Sequence, residues 1–184
     1  MNAVDRLLQR WRMRMAAPYV RDGGRVLDIG CYDGALIDYL RPRVADAVGI
    51  DPLATPRQEG SVTILRGRVP GDARLEVGSF DCVTMLAALE HFDDPNAVSE
   101  DCFRLLRPGG RLVLTVPHSV VDHIVSMLVR LGIADGMDLE AHHGYDVRMT
   151  EPMFKRAGFR LVAKRSFELG LNRLYVFEKP GSDR

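Results

Sequence analysis

Residues 26–34, VLDIGCYDG (Val26 to Gly34), set the reading of the whole chain. An apolar run with one acid leads into a Gly-X-X-X-Gly turn, the pattern of a buried strand ending in a tight loop ahead of a helix. Gly30 and Gly34 carry no Cβ, so backbone amides can approach a ligand closely there. Asp51 follows Gly30 by 21 residues, at the end of a second short apolar run, AVGID. In a strand-helix-strand unit that spacing returns a carboxylate to the same sheet edge, where it can grip a ribose diol. The loop lacks the Gly-X-Gly-X-X-Gly spacing of a dinucleotide site, which argues against a nicotinamide-dependent oxidoreductase. A strand-helix turn without any ligand is the plainer alternative.

Outward from this unit the chain keeps alternating. Ala35 to Leu40 reads as a helix that stops before Pro42, with its N-terminal amides facing the glycine loop. Only nine residues, Pro52, Pro56 and Gly60 among them, separate Asp51 from Ser61, so an abbreviated turn is expected in place of a crossover helix. Residues 61–67 read as the third strand and Phe80 to Leu86 as the central one. Val98, Cys102, Leu105 and Leu106 give a helix over Pro95 to Leu106 its inward face. A Pro-Gly-Gly turn then reverses the chain into a strand over Arg111 to Val116, a structural role only. Thr150 is placed to cap a short helix from Glu151 to Ala157. FRLVAKRSFEL and NRLYVFEK read as two closing antiparallel strands.

VLDIGCYDG, the GIDP ending the second strand, and FDCVTMLAALEHFDDP resemble the signatures of class I S-adenosylmethionine-dependent methyltransferases. The resemblance implies an α/β fold: a Rossmann-like, doubly wound, mostly parallel seven-stranded sheet with an antiparallel last strand and helices on both faces. It implies S-adenosyl-L-methionine as cofactor and S-adenosyl-L-homocysteine as product. Carried onto this chain, the cofactor-binding positions are Asp28, Gly30, Cys31, Tyr32 and Gly34 in the first loop, and Asp51 and Pro52 at the ribose. Gly67 and Arg68 follow beyond the third strand, with Leu86, Ala87 and His91 around the methionine moiety. The family's usual third loop glycine is Tyr32 here, a bulky side chain near the methionine end. The acid that often follows the third strand is also missing, so either backbone groups read the adenine or Asp72 reaches back. Asp28 either stands near the cofactor's methionine end or simply fixes the glycine loop by bonding its amides.

The implied activity is methyl transfer to a small-molecule or lipid- or sugar-linked acceptor. The different-class alternative is a non-catalytic module that binds the cofactor or its demethylated product. A base for an oxygen or nitrogen acceptor would come from His118, His142 or His91, in that order. The plainer reading of Glu90 and His91 is that they shape the loop and cap the following helix. His143 adjoins His142, but no carboxylate is spaced to complete a metal set. Val120 to Leu131 reads as an apolar helix, followed by a Gly-bearing loop of lid length where acceptor choice would be made.

Residues 1–20 form an expected amphipathic helix packed on a single domain over residues 21–180, with 181–184 as a fraying tail. In the helix Val4, Leu7, Trp11 and Met15 fall on one side and Arg6, Arg10 and Arg14 on another. The arginines are expected in water, and peripheral membrane contact through this basic ridge is a second reading. The chain has 184 residues and zero formal net charge, so global electrostatics do not point to nucleic acid. Three cysteines without metal-ligand spacing, and an N-terminal segment without an apolar leader core, fit a cytoplasmic setting. Oligomeric state is not legible.

Overall fold

Strand β1 (Arg25–Ile29) lies inside the sheet because Val26 to Ile29 are all buried, on both of its faces. The computed structural model describes residues 3–117 and 145–181. In chain order the elements are α1 (Ala3–Ala16), β1, α2 (Ala35–Leu40), β2 (Asp46–Asp51), β3 (Arg57–Glu59), β4 (Val62–Arg66) and β5 (Phe80–Leu86). Then come α3 (Pro95–Leu105), β6 (Leu106–Pro117), α4 (Thr150–Arg156), β7 (Arg160–Phe167) and β8 (Asn172–Glu178). The sheet order is β3-β4-β2-β1-β5-β6-β8-β7. Only β3 and β8 run against the other strands.

The chain steps outward from β1 to β2 and β4, then returns to the other side of β1 through β5. That reversal opens a crevice beyond the carboxyl ends of β1 and β5, where open α/β sheets bind ligands. The fold is the expected mostly parallel, doubly wound one with an antiparallel last strand, and it has one strand more than the seven expected. The abbreviated segment after Asp51 supplies it. Arg57 to Glu59 pair antiparallel with Val62 to Ile64, and the Arg57 guanidinium holds both oxygens of Asp38 on α2 at 2.8 and 2.9 Å.

Pleating sorts the strand residues between two cores. Leu27, Ile29, Val83, Met85, Leu112 and Leu114 face α3 and α4. Phe154 of α4 packs there against Phe159 and Phe177, with ring centroids 5.7 and 5.0 Å away. On the opposite face Val26, Cys82, Val113, Leu174 and Val176 pack under α1 through Met13 and Ala16. Met13, Ala16 and Ala17 are the buried contacts, while Leu7 is 64% and Trp11 41% exposed. The expected apolar side is thus corrected. The small alanines let the helix axis approach the sheet, which turns Leu7 and Trp11 outward with the three arginines.

Two further local expectations change. Thr150 caps nothing: the α4 cap position is Met149, and the buried Thr150 hydroxyl is hydrogen-bonded to Tyr145 Oη at 2.9 Å. The strand after the Pro-Gly-Gly turn begins earlier, since Leu106 already pairs with Phe80 and the turn forms a bulge before Arg111 resumes opposite Cys82. Helix α3 gains a cap the sequence reading passed over, as Asp94 Oδ1 accepts from the amides of Asn96 and Ala97. The Val120 to Leu131 helix, its lid-length loop, His118, His142, His143 and the tail 182–184 lie outside the described residues.

Phe154 is fully buried at the centre of the aromatic cluster. Phe154→Ala is expected to lower unfolding free energy by about 3–5 kcal/mol, shifting the urea midpoint down at an unchanged slope.

Candidate functional site

At the sheet reversal lies a cavity of about 620 Å³. Gly30, Tyr32, Asp51, Pro52, Gly67, Arg68, Ala87 and His91 of the expected set line it, together with apolar walls from Ile29, Ile50, Val69 and Phe92. A smaller cavity of about 190 Å³ shares Gly30, Tyr32 and Ala87 with it and adds Asp28, Cys31 and Leu86. Gln9, Arg12 and Met13 of α1 close that second cavity. Gly34 lines neither. It is the left-handed residue at φ +79° that starts α2, and the first helical amide, on Ala35, is taken by Asp33 Oδ1 at 3.1 Å.

The glycine loop is pinned by what it crosses. Gly30 turns at φ +76°, and a Cβ there would stand 2.6 Å from the Ala88 Cβ. Its amide donates to Ile50 O at 2.9 Å, tying the loop to the end of β2. Asp51 is oriented by two backbone donors: Tyr32 N reaches Oδ2 at 3.2 Å and Leu53 N reaches Oδ1 at 2.7 Å. Each oxygen keeps lone-pair capacity for a diol on the cavity side. Tyr32 adopts φ +46°, the conformation its glycine counterpart would take without strain, and its side chain is 55% exposed. Opposite, Ala87 at φ +51° donates its amide to both the carbonyl and the hydroxyl oxygen of Thr115, each at 3.0 Å.

Asp28 is buried and accepts from Thr84 Oγ1 at 2.7 Å. Burial pushes its carboxyl up to about 7, with the charges of Asp51 and Asp33 adding to the rise and the Thr84 bond opposing it. Burial, with the Asp28 and Asp51 charges, also pushes the Cys31 thiol up, so it stays protonated and is no nucleophile. Arg12 stands across the same cavity, 3.7 Å from Glu168, and its Nε is buried without a hydrogen-bond partner. The sequence reading missed Arg12. The available signal was its position off the arginine ridge, on the side of the helix that meets the sheet.

Asp72 does not reach back toward the adenine position. Arg74 Nε and Nη2 hold its two oxygens at 2.8 and 2.5 Å, and it packs behind Gly67 outside the cavity. Gly67, Arg68 and Val69 line the cavity instead. Among the described residues no group of three or more His, Cys, Asp or Glu could hold a metal ion.

These features fit S-adenosylmethionine. The cavity has the size of small-molecule sites, its wall carries one oriented carboxylate able to accept from a diol, and the glycine shared by both cavities leaves no room for a Cβ. The smaller cavity offers Asp28 to an ammonium and Arg12 to a carboxylate, the two ends of an amino acid.

The raised Asp28 carboxyl implies stability that is full below its unfolded value near 3.8 and is lost as pH rises through about 7. Asp28→Asn removes that loss: its thermal stability should match the native chain at pH 4 and exceed it at pH 8 by on the order of 2–4 kcal/mol. Tyr32→Gly relieves the left-handed strain and should raise ligand-free stability by about 1 kcal/mol in chemical denaturation.

Residues 2–164 match the family model described as a methyltransferase domain. The chain is 39% identical over 102 residues to a ubiquinone biosynthesis O-methyltransferase of Pseudomonas aeruginosa, a match covering 50% of this chain and 44% of that protein. The chain thus spans about half the length of the curated relatives it matches. Among solved structures it superposes on an S-adenosylmethionine-dependent methyltransferase from Mesorhizobium loti with TM-score 0.69, at 18% identity over 90% of this chain and 95% of that one. A Burkholderia thailandensis 1,6-didemethyltoxoflavin-N1-methyltransferase, solved with that compound and S-adenosylhomocysteine, gives TM-score 0.71 at 17% identity over 93% and 77%. At such identities the structures speak for the fold, and the family match carries the rest. The chain belongs to the methyltransferase-domain family, as a class I S-adenosylmethionine-dependent methyltransferase domain.

Proposed function

We propose that this chain transfers a methyl group from S-adenosylmethionine to a nucleophilic oxygen or nitrogen of a small-molecule or lipid-linked acceptor. The observation that carries the reading is the Asp51 carboxylate, oriented by Tyr32 N and Leu53 N on the wall of the larger cavity, with the smaller cavity that holds Asp28 and Arg12 sharing Gly30, Tyr32 and Ala87 with it. The ubiquinone-biosynthesis relative supports the acceptor class, since it is named for methylating an oxygen.

Bound there, the cofactor supplies a methyl on a sulfonium whose departure leaves a neutral thioether. Asp51 would hold the ribose, and residues 67–69 with Ile50 and Phe92, which line the same cavity, would enclose the adenine. Asp28 and Arg12 would take the amino and carboxylate groups of the methionine end, and Asp28 would ionise on binding. The small side chains of Ala87 and Ala88 would leave room for the nucleophile's approach. Aligning nucleophile, methyl carbon and leaving group without water supplies several kcal/mol of the barrier, on the order of 7–11 when alignment is close. His91, at the rim of the main cavity, is the described histidine placed to accept a proton.

Titration calorimetry with S-adenosylhomocysteine tests the anchors. Asp51→Ala should weaken binding about 100-fold and Arg12→Ala about 10-fold or more, each losing a hydrogen bond to a charged group. Affinity should rise as pH increases through about 7 and level off once Asp28 is ionised, a slope absent in Asp28→Asn. Labelled-methyl transfer into a pool of metabolites and extracted lipids tests the reaction. Tight binding without transfer to any component would overturn the transferase reading and leave a binding module.

A further inference from the structure

We propose that the outward face of α1, with the adjoining turn between β7 and β8, is a docking surface for an anionic lipid bilayer. Five exposed side chains share this face of the helix: Arg6, Arg10 and Arg14, with Leu7 and Trp11 beside them. The turn is fastened to the same helix, since Phe167 packs edge-on against Trp11 at 6.3 Å between ring centroids and Glu168 pairs with Arg12 at 3.7 Å. Arg165 is exposed on β7, two residues before Phe167 and therefore on the same side of the strand.

The turn itself is built against local preference. Glu168 and Leu169 take consecutive left-handed conformations, φ +52° and +57°, which side chains with a Cβ rarely adopt. The turn leaves Leu169 96% exposed, two residues after the Phe167 that packs on the exposed Trp11. The same turn tucks the Glu168 carboxylate against Arg12 and Asn172 and leaves Leu169 in water, and strained residues concentrate where function requires them. Leu169, Trp11 and Leu7 would sink into the headgroup region, where amphipathic rings and aliphatic anchors partition.

Charge selects the occupant. Arg6, Arg10, Arg14 and Arg165 have no ion-pair partner among the described residues, in a chain whose formal charge is zero overall. Four guanidinium groups without such a partner thus gather on this face. A second copy meeting the same face about a two-fold axis would set arginines against arginines. A nucleic acid would use the arginines but gives Leu7 and Leu169 nothing to bury against. A bilayer with anionic headgroups meets both halves of the pattern. Among the described residues no helix is long and apolar enough to cross a membrane, so the contact is peripheral. The inner side of the same helix carries Gln9 and Arg12 of the second cavity, so docking would hold that cavity about 10 Å, one helix diameter, behind the lipid surface. The proposal does not depend on the acceptor: its failure would leave the cofactor reading intact.

Trp11 is the only tryptophan in the chain and so reports directly on this surface. Phosphatidylcholine vesicles containing about 30% phosphatidylserine should shift its emission to the blue and carry the protein up a flotation gradient. Neither should occur with phosphatidylcholine alone, and added salt should reverse the binding. The triple charge reversal R6E/R10E/R14E should lower partitioning at least about 100-fold. The pair L7S/L169S should lower it about 10-fold or more, while both variants keep native S-adenosylhomocysteine affinity as proof of folding. Absence of the blue shift, binding retained by the triple variant, or binding to heparin that matches vesicle binding and is untouched by L7S/L169S would each overturn the proposal. A concentration-dependent dimer that is abolished by L7S/L169S would also overturn it, in favour of self-association.

Discussion

The close crossing of Gly30 over Ala88 is the constraint on which the site depends. Beyond β1 the backbone passes within a methyl's breadth of the segment that follows β5, and it does so at a dihedral only glycine accepts freely. That crossing brings Tyr32 N to Asp51 and Gly30 N to Ile50 O, so the ends of three strands are tied at one point. It also leaves space on either side, a larger cavity toward β2 and a smaller one under α1.

A second feature follows from strand pleating. Asp28 on β1, Thr84 on β5 and Thr115 on β6 all point to the α1 side of the sheet, although each lies in an otherwise apolar strand. Buried polar groups are costly unless paired, and here the pairs form between neighbours: Thr84 with Asp28, and Thr115 with the amide of Ala87. A buried carboxyl from the sheet below and the Arg12 guanidinium, paired with Glu168, from the helix above line one cavity, the charge pattern that the proposed zwitterionic end requires.

The same helix joins the site to the surface. Because Met13, Ala16 and Ala17 turn inward, the residues at 9 and 12 reach the smaller cavity while Leu7 and Trp11 are driven out beside the arginines. The periodicity of apolar residues in α1 sets Leu7, Trp11 and Met15 on one side; of these Met15 is partly buried against the core, while Leu7 and Trp11 are exposed. Burial follows the small residues instead, since close approach of helix to sheet gains more contact than a large side chain at a distance.

Much of this was legible in the residues themselves. The Gly-X-X-X-Gly turn after VLDI, the aspartate ending GID and the apolar run before LEH lie in local patterns, and local backbone preference plus alternation of apolar residues determined the strands, α2 and α3, and the cofactor edge. Spacing put Asp51 and Gly30 at one sheet edge, where both line the larger cavity, because a strand-helix-strand unit has a nearly constant geometry. What required the tertiary structure was everything set by partners distant in the chain. The brief β3 exists only because β4 offers an open edge, Thr150 loses its cap to Tyr145, and Asp72 is withdrawn by Arg74. Arg12 enters the site only when the first helix lies across β1 and the β7–β8 turn. Those outcomes depend on which surfaces meet, and a one-dimensional pattern holds the periodicity of a surface but not the identity of its neighbour.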